Sequence, residues 1–145
     1  MSAASAEVFR WMIRHDLTDV LAIERTSFVE PWTEADLVAV LLQRDAMGLV
    51  LERHHRTIGY LIYELQSRAV RILRLAVHPL HRRMGVGRSL MEKLVNRPLP
   101  RNSHCYWASV PETNLPMQLF LRSVGFRALP PCRGACTYRF VLELE

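Results

Sequence analysis

The stretch that decides the fold runs from residue 75 to residue 90 and reads LAVHPLHRRMGVGRSL. Its first residues are apolar and end a predicted strand at Pro79. A loop with two glycines, Gly85 and Gly87, then leads directly into a predicted helix. Because glycine lacks a Cβ, ligand oxygens can approach this backbone closely. The unpaired N–H groups of the first helical turn point into the same space. These features are typical of a loop that binds a diphosphate group.

The spacing of the glycines excludes two common phosphate loops. A Rossmann fingerprint needs a third glycine where this chain has Leu90, and a P-loop needs four residues between its glycines, followed by Lys and Ser or Thr. What remains is Arg-x-x-Gly-x-Gly, beginning at Arg82. By itself this pattern fits a tight turn equally well. Its position between a strand and a helix favours phosphate binding.

Outward from this loop, apolar periodicity predicts the remaining elements. They are strands over 8–14, 48–53, 57–65, 70–77, 104–110, 126–129 and 137–144, and helices that begin at about 16, 33, 87 and 114. Asp16 with Asp19, and Thr33 with Asp36, resemble capping boxes. The order β-α-α-β-β-β-α-β-α-β-β predicts an α/β fold with a mixed sheet. We expect a loose tail over 1–7 and a single domain over 8–145.

The length and composition predict one domain of ordinary size with a buried core. Half of the 145 residues are apolar and 23% are charged, which is enough to bury a core. The longest apolar run, 37–42, is far shorter than the roughly 20 residues of a membrane span. The N-terminus, MSAASAE, lacks the features of a secretory signal. We therefore expect a cytoplasmic protein with no membrane partner.

The charge, +5, comes almost entirely from arginine, since Lys93 is the only lysine. Arginine suits a phosphorylated ligand or a nucleic acid. The arginines are dispersed along the chain, so a nucleic-acid partner ranks last. Three cysteines without zinc-ribbon spacing and six scattered histidines predict no metal site.

Four stretches, in order, resemble the GNAT acetyltransferases. Residues 82–87 resemble the acetyl-CoA pyrophosphate loop of that family, 75–79 its splayed strand, and 114–126 its Asn-initiated helix ending in Gly-Phe. Ile23-Glu24, Phe28 and Pro31-Trp32 resemble the N-terminal signature of one branch, the bacterial ribosomal-protein alanine N-acetyltransferases. The resemblance covers about residues 8–144. It implies a single-domain, largely antiparallel sheet with splayed central strands.

The resemblance also implies a function and a set of site residues. The protein would transfer an acetyl group from acetyl-CoA directly to an amine, such as a protein N-terminal α-amine. The acceptor would enter past Phe28 and Trp32, and the Val77 N–H would stabilise the oxyanion. The residues implied in cofactor binding are Leu75, Ala76, Val77, Arg82, Arg83, Met84, Gly85, Val86, Gly87, Arg88 and Asn114.

The chain departs from the family at the positions that carry acid and base chemistry. Ser109 stands where the family has a catalytic Glu, and Leu121 where it has a Tyr. Neither can act as the usual base or acid near neutral pH. The catalytic residues are therefore unknown from the sequence, and Glu30 is a weak substitute candidate. Arg71 and Arg74 have the wrong charge for a base and would repel a cationic acceptor or hold an acidic one.

Two other functions stay open at this stage. Residues 130–134, PPCRG, replace the Tyr-Tyr pair that the branch carries in its last hairpin, which favours a small amine or metabolite as acceptor. Alternatively, the loss of acid and base residues fits a non-catalytic acyl-CoA-binding regulatory domain.

Overall fold

The computed structural model describes residues 7–99 and 103–144. The elements in this part of the chain are β1 (Glu7–Trp11), α1 (Leu17–Ser27), α2 (Glu34–Leu41), β2 (Ala46–Arg53), β3 (Arg56–Leu65), β4 (Ala69–Val77), α3 (Val86–Val95), β5 (Cys105–Pro111), α4 (Leu115–Ser123), β6 (Arg127–Ala128) and β7 (Thr137–Glu143). This is the predicted order of strands and helices. Two single turns of 3-10 helix, Arg14–Asp16 and Pro79–His81, were not predicted.

The strands form a mixed sheet in the order β1-β2-β3-β4-β5-β7-β6. The pairings β1–β2, β5–β7 and β6–β7 are antiparallel, whereas β4 and β5 pair in parallel. The parallel register runs from Ala69↔Cys105 to Arg71↔Trp107 and stops there. The predicted α/β fold with a mixed, largely antiparallel sheet is confirmed.

The described residues group into two compact units, and β4 contributes to both. The first unit contains residues 7–63 and 74–97, and the second contains 64–73, 98–99 and 103–144. The division into a tail over 1–7 and one domain over 8–145 stays a prediction. Apart from Glu7, which begins β1, the predicted tail lies outside the described residues.

The core of the first unit is formed by strands β2 and β3 together with one face of helix α1 and one face of helix α3. Its fully buried side chains include Val20, Ile23, Leu37, Leu51, Tyr60, Leu61, Leu90 and Leu94. In α3 the buried positions Val86, Leu90 and Leu94 recur every fourth residue, which is the spacing of one helical face. This face holds the helix that follows the two-glycine loop.

The second unit is built around β5 and β7. Tyr106, Ala108 and Val110 are buried on one face of β5, and Phe140 is buried on β7. Leu121 of α4 and Phe126 complete this core. Because successive side chains of a strand point to opposite faces, the alternate residues Trp107 and Ser109 share the other face of β5.

One predicted cap is confirmed and the other is wrong. The Thr33 hydroxyl accepts from Asp36 N–H and the Asp36 carboxylate accepts from Thr33 N–H, as the predicted box requires. Asp16 instead has helical backbone angles and makes no side-chain cap. Its carboxylate is buried, at 2.6 Å and 2.8 Å from the Arg10 guanidinium and 2.8 Å from Ile13 N.

This arrangement also explains why the first strand is shorter than predicted. The strand was predicted to reach residue 14, but it ends at Trp11. The Asp16 carboxylate accepts a hydrogen bond from Ile13 N–H. The chain therefore leaves the strand at this point and forms the short 3-10 helix. Ile13 is left 56% exposed instead of contributing to a strand face.

Candidate functional site

The loop between β4 and α3, residues 78–85, has the backbone geometry of an anion-binding concavity. Arg83 has φ 63° and Gly85 has φ 79°, so two nearly adjacent residues are left-handed. Gly85 is the N-cap of α3, and a Cβ built on it would meet no atom within 4 Å. Alternating backbone conformations of this kind turn successive N–H groups toward one point. The N-terminus of a ten-residue helix adds its positive dipole there.

The Arg82 side chain connects this loop to the end of β4. Its Nε donates to the Val77 carbonyl at 2.9 Å, and its Nη2 donates to Ser27 Oγ at 3.0 Å. The guanidinium therefore fixes the loop against the strand and α1. A role for Arg82 in cofactor binding stays a prediction, as do those of Leu75, Ala76, Val77, Arg83, Met84, Gly85, Val86, Gly87 and Arg88.

A glycine in β3 sets how closely α3 approaches the sheet. A Cβ on Gly59 would lie 2.8 Å from Val86 Cγ1 and 3.1 Å from Leu90 Cδ1. Val86 is the first residue of α3 and is buried, so its side chain cannot give way easily. Gly59 was not singled out by the sequence, since a lone glycine in a strand has several explanations.

The loop over residues 28–32 is held by a buried carboxylate in the first unit. Glu24 of α1 has no exposed surface. Its Oε2 accepts from Trp32 N–H at 2.7 Å, and its Oε1 accepts from the Tyr60 hydroxyl. Burial, reinforced by the charge of Glu24, raises the pKa of Tyr60 well above its ordinary value. The phenol therefore stays protonated and donates.

Arg74 brings together the two residues predicted to contact the acceptor. Its Cζ lies 4.0 Å from the ring centroid of Phe28 and 4.4 Å from that of Trp32. Its Nε is 3.3 Å from Glu24 Oε1, and its Nη2 donates to the Glu30 carbonyl at 3.3 Å. Arg74 therefore stabilises the loop over residues 28–32 by contacts with Phe28, Glu30 and Trp32. The sequence indicated its charge but not its contacts.

Of the residues considered for cofactor binding or catalysis, Ser109, Asn114 and Leu121 lie in the second unit. Asn114 caps α4, because its side-chain oxygen accepts from Met117 N–H at 3.2 Å. Ser109 is exposed on β5, and Leu121 is a core residue at 1% exposure. Leu121 therefore serves packing. The cofactor contact predicted for Asn114 stays a prediction.

The face of β5 that carries Ser109 is rich in arginine. Arg71 lies beside Trp107 in the parallel register, and Arg139 lies directly across from Ser109 in the antiparallel one. The Cζ atoms of Arg71 and Arg139 are 4.9 Å and 4.2 Å from the Trp107 ring centroid. The sequence indicated Arg71 alone. Arg139 was missed, because its position opposite Ser109 depends on the register of two distant strands.

Over residues 7–99 and 103–144, no group of three or more His, Cys, Asp or Glu side chains is placed to hold a metal ion. None of the helices described is long and apolar enough to cross a membrane.

The sequence matches the acetyltransferase (GNAT) family over residues 17–126. A search among curated proteins gives no match. Among solved structures, the chain is similar to the ribosomal-protein-S18-alanine N-acetyltransferase from Escherichia coli, with 19% identity over 96% of this chain and 93% of the other and a TM-score of 0.78.

Two structures of proteins from Thermoplasma species are similar to it as well. Ard1 from Thermoplasma volcanium is 22% identical, with 97% of this chain and 99% of the other covered and a TM-score of 0.82. PaiA N-acetyltransferase from Thermoplasma acidophilum, solved with coenzyme A, is 14% identical, with 96% and 99% covered and a TM-score of 0.78. At these identities the structural similarities show the fold.

Proposed function

Because the chain belongs to the GNAT family of acetyltransferases, to which residues 17–126 match, we propose that it transfers the acetyl group of acetyl-CoA to a protein N-terminal α-amine. The observation that carries the proposal is the loop before α3. In this loop Arg83 and Gly85 have left-handed backbone conformations, and Gly85 is the N-cap of that helix. Acetyl-CoA carries the pyrophosphate that such a loop binds.

The proposed contacts to acetyl-CoA follow the backbone of residues 75–88. The N–H groups from Arg83 to Arg88 hold the pyrophosphate, and the last residues of β4, Leu75 to Val77, bind the pantetheine arm as an added strand would. Arg82 supports this arrangement indirectly, because it bonds to the Val77 carbonyl and fixes the loop to the strand end. Asn114 is proposed to contact the cofactor near the thioester.

The proposed reaction is direct transfer. The neutral amine attacks the thioester carbon, a C–N bond forms, and the C–S bond breaks to release CoA; the attacking nitrogen then gives one proton to solvent, and the CoA thiolate takes one from solvent. The Val77 N–H is proposed to stabilise the oxyanion. Ser109 and Leu121 occupy the positions of the family's base and acid, so the amine loses its proton to solvent before it attacks. Glu30 is exposed and remains the alternative proton acceptor.

The choice of an α-amine as acceptor rests on two similar solved structures and on the chemistry of the site. One similar structure is a ribosomal-protein alanine N-acetyltransferase, and another, NAA60 from Arabidopsis thaliana, was solved with a bisubstrate analogue. A site without a built-in base favours an amine of low pKa. The cytoplasmic location is part of the same proposal, since ribosomal and nascent proteins are made there.

The second candidate function is acetylation of a small amine or metabolite. It is favoured by the last hairpin, in which β6 spans only Arg127–Ala128 and the connection contains Pro130 and Pro131. A panel of peptides and small amines, assayed by free CoA release, separates the two candidates. Turnover confined to peptides with a free α-amine supports the first, and turnover of small amines alone supports the second.

The cofactor assignment is tested by calorimetry on Gly85→Val. A β-branched side chain at φ 79° is strained by roughly 1–2 kcal/mol, which is about a tenfold loss of acetyl-CoA affinity if the loop conformation is required. Gly134→Val is the matched control, because Gly134 has φ 78° and equally open surroundings in another loop. Equal affinities for the two variants would refute the assignment. Absence of binding to the folded wild type would refute the proposed function.

A second prediction concerns Gly59→Ala in β3. The new methyl would displace Val86 and the first turn of α3, at a cost of about 1–3 kcal/mol in stability. We expect weaker acetyl-CoA binding in calorimetry as well, because the helix N-terminus moves. Gly48→Ala is the control, since that site is also crowded but by Met12 and Leu41. The prediction is wrong if Gly59→Ala loses stability without losing affinity.

A further inference from the structure

Three side chains of the second unit form a cationic cluster on one face of β4, β5 and β7. The cluster consists of Arg71, Trp107 and Arg139, and both guanidinium carbons lie within 5 Å of the Trp107 ring centroid. The indole Nε1 donates to Gln66 Oε1 at 2.9 Å, which fixes the ring. Stacking on an aromatic ring holds a guanidinium in one plane and leaves its N–H edge available for hydrogen bonds.

One carboxylate lies near this cluster, that of Glu64, which accepts from Gln66 Nε2 at 3.2 Å, but neither arginine of the cluster forms an ion pair with it. Within residues 64–73, 98–99 and 103–144, the one ion pair joins Arg127 and Glu143, so neither cluster arginine has an acidic partner there. Arg71 Nε is buried and has no hydrogen-bond partner among the described residues. Arg71 and Arg139 lie on the strands on either side of β5, so their guanidinium groups flank the Trp107 ring and make this face positively charged.

Arg139 of the cluster also lies beside Ser109, the position of the missing base. Arg139 is paired across the strands with Ser109, and directly opposed residues have Cβ atoms about 4.5–5.5 Å apart. By the proposed function, Ser109 stands where the family places the residue that faces the reacting amine. A group bound by Arg139 would then lie within a few atoms of that amine.

From these observations we infer that the cluster binds a carboxylate of the acceptor, so that the preferred acceptor is a peptide with an acidic side chain directly after its free N-terminal residue. The inference rests on the proposed function. Arginine binds carboxylates through two parallel hydrogen bonds, which orients the peptide as well as attracting it. A basic residue at the same place would face two guanidinium groups and bind poorly.

The test compares three peptides that begin with the same alanine and carry Glu-Asp, Gln-Asn or Arg-Arg at the next two positions. The wild type is assayed at saturating acetyl-CoA for kcat/KM. We expect the acidic peptide to exceed the neutral one by about tenfold or more, as charged hydrogen bonds allow. The advantage should shrink at high salt, because ions screen exposed charges.

The variants assign the preference to the cluster. Arg139→Gln is expected to reduce the acidic-to-neutral ratio of kcat/KM toward one, and Arg139→Lys to restore part of it. Ser109→Glu, which places a carboxylate opposite Arg139, is expected to remove the preference too. Arg122→Gln is the matched control, because Arg122 lies near Phe140, whose side chain is on the opposite face of β7. It should retain the wild-type ratio.

Equal kcat/KM values for the three wild-type peptides, or a preference for the basic one, would overturn the inference while leaving the proposed function in place. The same holds if Arg139→Gln keeps the full preference. Arg139-dependent binding of a single-stranded RNA oligonucleotide, without an acidic-peptide preference, would also overturn it. Failure to acetylate any amine would instead refute the proposed function itself.

Discussion

Replacing Glu24 by alanine is expected to lower the free energy of unfolding by roughly 3–5 kcal/mol, the usual cost of removing one partner from a buried ion pair. Glu24 is fully buried and accepts from both Trp32 N–H and the Tyr60 hydroxyl. Without it, both donors are left unsatisfied in the core. Arg74, whose side chain is 17% exposed, loses its carboxylate as well.

Urea unfolding of Glu24→Ala measures this effect. Glu92→Ala, an exposed glutamate on α3, is the control and should change stability by less than about 0.5 kcal/mol. Tyr60→Phe should fall between the two, at about 1–3 kcal/mol, because it removes a single donor to Glu24. A Glu24→Ala variant as stable as Glu92→Ala would show that this carboxylate does not hold the loop over 28–32.

The second large effect is a preference for α-amines over lysine side chains. An α-amine has a pKa of about 7.7–8.0 and a lysine about 10.4, so at about pH 7.5 their neutral fractions differ by a few hundredfold. Because Ser109 cannot remove the proton, this difference should appear directly in kcat/KM. The measurement compares a peptide with a free N-terminus and no lysine against an N-terminally blocked peptide with one lysine. Equal rates would contradict the prediction.

The pH profile tests the same idea without changing the substrate. The rate should rise with pH through the acceptor's own pKa, since only the neutral amine reacts. A profile that is flat from about pH 6.5 to 9, with chemistry rate-limiting, would indicate a base in the enzyme. Glu30→Gln is then the first variant to examine. Ser109→Glu should flatten the rise, and it is best combined with Arg139→Gln, because Arg139 would otherwise pair with the new carboxylate.

The order of the elements was predictable because local signals determine it. The apolar face of α3, the Thr33–Asp36 box and the Asn114 cap all act within a few residues. The two-glycine loop is equally local, and Gly85 has the left-handed backbone that its lack of a side chain allows. The sequence therefore predicted both the fold and the position of the two-glycine loop before α3.

The errors and omissions arise from contacts between residues far apart in the chain. Asp16 was predicted as a helix cap, but Arg10 and Thr57 compete for its carboxylate, and Thr57 is 41 positions away. The contacts of Arg74 with the Phe28 and Trp32 rings likewise form only when the loop over residues 28–32 packs against β4. Periodicity and motif spacing contain no information about such partners, so the contacts of Asp16 and Arg74 were much less predictable than the two-glycine loop.

The central claim is that this protein acetylates free α-amines with acetyl-CoA. It is tested most directly by incubating the wild type with acetyl-CoA and an alanine-initiated peptide, then quantifying acetylated peptide by mass spectrometry and released CoA by thiol titration. We predict equal amounts of both products, with the acetyl group on the α-amine, and neither product above the enzyme-free rate when the N-terminus is blocked. CoA release that is the same with the blocked peptide, or no acetylated peptide at all, would contradict the claim.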